Sequence, residues 1–493
     1  MSQSVFDPLL LGSASIKVLA AAQQTPAGLA ALQRRRLGEL LQSVAHRSAF
    51  YRRALRSRTP SDVALHELPV VTKAEMMGRF DEWVTDPQLT LDGLRAFTAD
   101  RRRIGEAYLD RYLVWESSGT SGEPAVFVQD AQTLAIYDAL EALRRPVPRP
   151  WQRLVDPLCM TERIACVVAT TGHFASEVSA QRLRRLNRWL ANSMRSFSIL
   201  APTRDLVAEL NRFDPTIVVT YPTAAALLAD ERARGTLRAR PREVWTGGET
   251  LSPAMRRHIA TTFGCSVSNS YGASEFLPIG WECAHGSLHV NADWVLLEPV
   301  DAQHRPVPPG ELSHTVLITH LGNEVQPIIR YDLGDRIRVR ATPCRCGSAF
   351  PAIEVFGRQD DPLHLLGLDG RLVTVLPLAV TTLLEDDAHV FDFQLRQRDE
   401  STLVLRLAAR GEAALAATER CRTVLQAMAM QHRLAPLSLV IEAGEPLAHG
   451  RSGKVDRVVA APVHADVPGD VAPVEPHAPG KLGACTSERN TLW

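Results

Sequence analysis

The chain has 493 residues, 45% hydrophobic and 22% charged, with 55 basic residues balancing 55 acidic ones. That length asks for two or three domains rather than one core. A formal charge of zero gives no electrostatic reason to expect nucleic acid or an anionic membrane surface as partner.

The first apolar stretch, "LLLGSASIKVLAAA", has no Lys or Arg before it, and Lys17 interrupts it. A secretory leader carries its charge first, so this stretch is read as helix. No run of about 18 apolar residues occurs, so no membrane span is expected. Leu29, Leu32, Leu37, Leu40, Leu41 and Val44 recur at helical spacing, and "RSRTPSD" breaks the pattern. Residues 1–60 are therefore expected to form a helical layer on the main body.

Next comes "YLVWESSGTSGEPAVFVQD", residues 112–130. Two strand-like runs flank Ser117, Ser118, Gly119, Thr120, Ser121 and Gly122. The loop lacks the GxxxxGK[ST] pattern, and a strand rather than a helix follows it, so it is not a P-loop. Its N–H groups and hydroxyls can wrap phosphate oxygens. Taken alone it can equally be a plain turn.

Residues 213–277 are the most legible. "TIVVTY", "EVWTGGE" and "CSVSNSYGASE" read as strands. Between them "TAAALLADERARG" and "SPAMRRHIATTFG" read as helices, the second with Ser252 as N-cap, Pro253 in its first turn and Gly264 at its end. Strands alternating with helices imply right-handed crossovers and a parallel sheet. Ligands of such sheets bind at the carboxyl ends of the strands, where "TYP", "TGGE" and "SYGASE" fall.

After Gly357 the pattern changes. "DGRLVTV", "VFDFQLRQRD" and "STLVLRLAA" alternate like strands, with a helix expected over 412–430. The fold class expected is α/β: a large N-terminal domain, 61–357, with parallel or mixed sheets, and a small mobile α+β domain, 358–460. The Pro-, Ala- and Gly-rich tail, 461–493, lacks periodicity and is expected to be disordered.

Cys344 and Cys346 in "CRCG", with Cys283 and a histidine of "CAHGSLHV", fit a tetrahedral Zn²⁺ site in softness and number. Four protein ligands would leave no open position, so the site would be structural. Four unrelated small residues are the alternative. Cys159, Cys166, Cys265, Cys421 and Cys485 read as incidental thiols, and scattered cysteines fit a reduced, cytoplasmic setting.

"SSGTSGEP", "GGETLSP", "SYGASE", "RYDLGDR", "GRQDD" and "SGKVDRV" occur in this order. The set resembles the acyl-adenylate-forming, AMP-dependent ligases, and within them the phenylacetate-CoA ligase family. "HGSLHVNADWVLLEPVD" and "PCRCGSAFPAIEVFGRQDD" carry the same resemblance, which spans most of residues 30–460. His289 matches that family's position better than His285. The resemblance implies two half-reactions. A carboxylate attacks the α-phosphate of ATP, and a thiol then displaces AMP from the acyl group.

It also implies roles. The loop Ser117–Gly122 would hold the β- and γ-phosphates, and Glu275 would bind Mg²⁺. Gly247, Gly248, Glu249 and Tyr271 would meet the adenine. Asp335 would take the ribose hydroxyls, an acceptor's task, unless it only pairs with Arg336 or Arg338. Arg358 would reach ribose or phosphate, and Asp360 would be the hinge of the C-terminal domain. Lys454 would bridge the acyl carboxylate and the α-phosphate. Glu123 replaces a common loop lysine, and "YDLGD" replaces "YRTGD".

Tyr221, Trp245, Gly272, Ala273 and Phe276 are the pocket residues expected, and by family analogy the acid is aromatic. The thiol is CoA, or the phosphopantetheine of an acyl carrier protein. A degenerate homologue that binds nucleotide or an aromatic ligand without turnover is the reading from another class. A homodimer is compatible with all three.

Overall fold

The computed structural model describes residues 5–55, 63–117, 124–145, 161–356, 362–390, 393–444 and 457–460. Three helices open the chain, Pro8–Ala22, Pro26–Arg47 and Ala49–Leu55. Asp7 caps the first through the N–H groups of Leu9 and Leu10, and Thr25 caps the second through Gly28. Leu29, Leu40, Leu41 and Val44 are buried, while Leu32 and Leu37 pack partly buried at the margin. The periodicity read from the sequence is thus the stripe that faces the core. Among the described residues no helix is long and apolar enough to cross a membrane.

Strands β1 (Leu113–Glu116) and β2 (Val126–Gln129) pair antiparallel, Leu113 opposite Gln129 and Glu116 opposite Val126. The two runs that flank the serine-glycine stretch are therefore antiparallel neighbours. Next come β3 (Ile164–Val168), β4 (Met194–Ser198), β5 (Ile217–Thr220), β6 (Glu243–Thr246) and β7 (Ser266–Ala273). They run parallel in the order β4-β3-β5-β6-β7. Every residue of β3 is buried, as expected of a parallel strand covered on both faces.

Helices Thr203–Phe213, Pro222–Ala233 and Pro253–Phe263 supply the crossovers and close one face over Val167, Val218 and Val244. Pro222 and Pro253 stand in first turns, and the Ser252 hydroxyl accepts from Met255 N at 3.1 Å.

The sheet then reverses sense. β8 (Phe276–Glu282) and β9 (Leu288–Val290) continue it antiparallel. β7 changes partner along its length. It pairs with β6 as far as Asn269, and with β8 from Ser270 on, with a register shift between Tyr271 and Ala273.

β10 (Val295–Val300), β11 (Thr315–His320) and β12 (Tyr331–Asp332) form a second sheet. β13 (Arg336–Val339) and β14 (Ala352–Phe356) return to the first and complete nine strands among the described residues.

The C-terminal segment holds a hairpin, β15 (Leu363–Leu366) and β16 (Leu372–Val375), then helix Pro377–Asp386. β17 (Phe393–Gln397), β18 (Thr402–Leu407), helix Gly411–Gln431, β19 (Ser438–Ala443) and β20 (Val458–Val459) follow, a four-stranded sheet in the order β19-β18-β17-β20. Phe393, Leu395, Leu405, Cys421 and Met428 give this segment a core of its own.

Candidate active site

One crevice of about 3350 Å³ opens where β5, β6 and β7 end. Tyr221, Thr246 to Glu249, Tyr271 to Glu275 and Asp332 to Asp335 line it, with Glu116 and Ser117 at the end of β1. "TYP", "TGGE" and "SYGASE" meet at the carboxyl ends of their strands, as the topology requires. "RYDLGDR" joins them from the strand sequence β12–β13.

The loop after β7 is fixed from two sides. The Trp115 indole N–H of β1 donates to Ser274 O at 2.9 Å. At Gly272 a Cβ would stand 2.0 Å from Leu277 O, so only glycine lets the turn into β8 close. Gly248, with φ +80°, lies against Tyr221; a Cβ there would meet the ring at 3.2 Å.

Four acidic and phenolic groups converge. The Tyr271 hydroxyl donates to Asp335 Oδ2 at 2.9 Å. Burial pushes the Glu275 carboxyl up to about 7, against a hydrogen bond from Tyr331, and the nearby charge of Asp335 adds to the rise. Lys73 acts in the opposite direction on Glu275 and also lines the crevice. It stands at the first position of helix Lys73–Gly78, behind the N-cap Thr72. The sequence reading missed Lys73. One signal was available: the chain has four lysines, Lys17, Lys73, Lys454 and Lys481, against 55 basic residues in all.

Other expected residues have defined partners. Arg338 pairs with Glu354 at 2.9 Å, and Arg336 Nε donates to Ser313 O at 3.3 Å. Glu249 Oε2 accepts from Thr223 N at 3.0 Å and Thr223 Oγ1 at 2.7 Å, capping helix Pro222–Ala233. Ser117 Oγ accepts from Ala125 N at 3.0 Å, which ties the ends of the two runs together. The Arg145 guanidinium lies over the Trp245 ring at 4.1 Å, and the indole donates to Glu243 at 2.8 Å.

Tyr221, Trp245, Gly272 and Ala273 line the crevice. Phe276 does not share that wall: it is 0% exposed and packs on Tyr137 and His320, with centroids 5.2 and 4.5 Å away. Tyr137, from helix Ala131–Arg144, stands in the wall instead. His320 Nδ1 accepts from Gly322 N at 3.1 Å, so its proton is on Nε2 and reaches Tyr137 Oη at 3.0 Å. Burial pushes His320 down to about 3, so the ring behind Tyr137 is neutral.

Cys283, His289, Cys344 and Cys346 come together, every ligand atom within 4.8 Å of the others. The Cys283 and Cys344 sulfurs are 3.8 Å apart, and Cys346 Sγ lies 3.3 Å from His289 Nε2. Ligands about 2.3 Å from a tetrahedral zinc place two sulfurs about 3.8 Å apart. His289 Nδ1 bonds the Phe350 carbonyl at 2.8 Å, which leaves Nε2 turned to the cysteines, the outer-shell support a ligating histidine takes. The backbone N–H of Cys346 and the Ser287 hydroxyl hold the Cys344 thiol down, to about 5. The four side chains thus fit the metal.

Cys166 and Cys421 are buried and Cys265 half-buried, away from this cluster. Ser118, Gly119, Thr120, Ser121, Gly122, Arg358, Asp360, Lys454, Cys159, Cys485 and the tail lie outside the described residues.

Residues 186–312 match the family described as AMP-binding enzyme. The chain is 27% identical over 392 residues to a phenylacetate-coenzyme A ligase of Thermus thermophilus, covering 76% of this chain and 79% of that protein. A solved 2-hydroxyisobutyryl-CoA ligase, with 2-HIB-AMP and CoA in the thioesterification state, is 19% identical and covers 89% of this chain and 91% of its own, with a TM-score of 0.56. The same ligase in the postadenylation state with 2-HIB-AMP is 20% identical over 87% and 89%, with a TM-score of 0.50. At such identities the solved structures speak for the fold, which is that of the adenylate-forming ligases. The resemblance read from six ordered motifs is found again in sequence and in fold.

Proposed function

We propose that this chain, built on the adenylate-forming ligase fold, activates a carboxylic acid with ATP and passes the acyl group to a thiol, CoA by preference. The observation that carries this reading is the meeting of "TGGE", "SYGASE" and "RYDLGDR" in one crevice at the strand ends. The matches to an AMP-binding family and to a phenylacetate-CoA ligase support it.

In the first half-reaction a carboxylate oxygen bonds to the α-phosphorus and pyrophosphate leaves. Two anions meet, so the site must orient them and offset charge rather than supply a strong base. The loop Ser117 to Gly122 takes the β- and γ-phosphates. Asp335, oriented by Tyr271, accepts from the ribose hydroxyls. Gly247, Gly248 and Glu249 border the adenine, and Arg358 reaches ribose or phosphate. Lys454 bridges the acyl carboxylate and the α-phosphate. Mg²⁺, when bound, offsets phosphate charge, and Glu275 is the carboxylate that holds it, a hard oxygen donor for a hard cation.

In the second half-reaction the thiol sulfur bonds to the acyl carbon, the bond to the AMP oxygen breaks, and the thiol proton is lost to solvent. Asp360 is the hinge at which residues beyond it turn between the two steps. Tyr221, Trp245, Gly272, Ala273 and Tyr137 form the acyl pocket, and their aromatic rings favour an aryl acid. Cys283, His289, Cys344 and Cys346 hold a structural zinc.

Pyrophosphate exchange with a panel of aryl and aliphatic acids tests the reading, followed by mass analysis of CoA and of a carrier protein after reaction. Acid-dependent exchange and an acyl-CoA product are expected. Exchange with no acid in the panel would leave a nucleotide-binding homologue without turnover.

A further inference from the structure

Helix Pro377–Asp386 runs into three consecutive carboxylates, Glu385, Asp386 and Asp387, and each serves a different contact. Glu385 pairs with Arg457, next to β20, and both side chains are 3% exposed. That pair lies within the C-terminal segment. Asp386 accepts from Thr171 Oγ1 at 3.1 Å. Asp387 pairs with Arg101 at 3.2 Å. Thr171 and Arg101 belong to the large body.

The loops that carry Thr171 and Arg101 also hold the end of β1. Glu116 N donates to His173 O at 2.8 Å, and the Glu116 carboxylate accepts from Thr98 Oγ1 at 2.6 Å. A Cβ at Gly172 would stand 3.3 Å from Asp386 Oδ2, so the helix end touches this backbone directly. Glu116 is the residue before Ser117. The acidic helix end therefore rests on the frame from which the serine-glycine loop starts.

The apolar part of this contact is thin. Leu376 and Ala379 pack with the helices over the parallel sheet, whereas Val380 and Leu384 belong to the segment's own core. Leu383 adds to the apolar contact, partly buried, and polar contacts join it at the helix end. Their burial differs in a telling way. The Glu385–Arg457 pair is sealed, and breaking it would strand a buried charge. Arg101 and Asp387 are 50% and 42% exposed, so water replaces either partner at little cost.

We propose that Asp386 and Asp387, with Thr171 and Arg101, are the releasable clamp that holds the described part of the C-terminal segment on the large body in the arrangement seen here, while Glu385–Arg457 keeps the segment intact as it turns. This rests on the two-step reading above. Glu116 and Asp386 oppose each other across the junction, and burial pushes both carboxyl groups upward. The clamp thus works against a like charge, which suits a contact that must let go.

The test uses the full chain. Asp387→Ala, Arg101→Ala and the double exchange Arg101→Asp with Asp387→Arg are assayed in both half-reactions. These are pyrophosphate exchange, and thioester formation from pre-made acyl-AMP. Each single variant should shift the ratio of the two rates about two- to fivefold, the range an exposed pair allows, with one rate rising as the other falls. The double exchange should return the ratio toward the parent's. An unchanged ratio, or an equal loss in both steps, overturns the clamp. A second readout is independent of chemistry: the distance between spin labels on unnatural residues at Arg188 and Gln426, both exposed. It should broaden in Asp387→Ala. If the parent exchanges pyrophosphate with no acid, the ligase reading fails, and the label distance alone decides the clamp, an unchanged distribution refuting it.

Discussion

The Tyr271 hydroxyl donates to Asp335 Oδ2 at 2.9 Å, and both residues line the crevice. If Asp335 takes the ribose hydroxyls as proposed, this bond fixes the orientation of the carboxylate that does so. Tyr271→Phe keeps the ring and loses this restraint. It should raise the KM for ATP about tenfold, the size of one hydrogen bond to a charged group. Asp335→Ala should raise it about a hundredfold. The KM for the acid should stay within about twofold in both. A larger effect on the acid than on ATP would move Asp335 out of the nucleotide site.

Glu275 carries a pH signature. Its carboxyl is raised by burial to about 7 in the folded chain, from an ordinary value near 4.5. A raised acid contributes stability that is fully present below its unfolded value and is lost as pH rises through its folded one. Ligand-free protein should therefore weaken between about pH 4.5 and 7, and Glu275→Gln should flatten that slope. The gain at pH 8 should be a few kcal/mol at most. If Glu275 takes Mg²⁺ as proposed, it does so ionised, so binding of Mg²⁺ with ATP near pH 6 should release more protons in the parent than in Glu275→Gln, where only the nucleotide phosphate contributes. Calorimetry in two buffers of different ionisation enthalpy measures it.

The cysteine cluster should hold one zinc per chain. Elemental analysis of the purified protein checks the stoichiometry. A strong chelator should lower Tm, and Cys344→Ser should do the same, because binding energy at a closed site is folding energy. The acid and ATP constants of whatever protein stays folded should be close to the parent's. A stable, active chain without zinc would end this assignment.

Lys454 is expected to divide the half-reactions. Lys454→Ala should lower acyl-adenylate formation roughly a hundredfold, the size of one lost transition-state charge contact. Supplied with acyl-AMP and thiol, the same variant should transfer near the parent's rate. Asp360→Pro should do the reverse, since a fixed φ restricts the turn. Equal losses in both steps for Lys454→Ala would contradict the division.

Much of this architecture was legible because local signals agreed with tertiary placement. Pro222, Ser252 and Pro253 set helix starts by backbone chemistry alone, and β5 read as an apolar run because the parallel sheet buries it, whereas β3, equally apolar, was not read. The cysteine cluster was legible because ligand chemistry narrows the residue types. Phe276 was not. Its motif neighbours face the crevice, but the register shift between Tyr271 and Ala273 and the tight turn at Gly272 carry Phe276 to the other side, into the core. Tyr137 and Lys73 come from helices far away in the sequence, and their motifs have no spacing to the strand ends. The Arg101–Asp387 contact spans 286 positions, and nothing local to Arg101 points to a partner so distant.

The change of partner along β7 leaves something unusual in the middle of the large sheet. Beyond Asn269 the strand keeps β8 on one side, while its ladder with β6 has ended. An open strand flank is normally a hazard, a template on which a second chain can add and aggregate. Here the flank lies inside the molecule, walled by the loop after β6 and by the turn at Gly272. Solubility and recognition, which compete along the rim of an ordinary sheet, are separated here by enclosure.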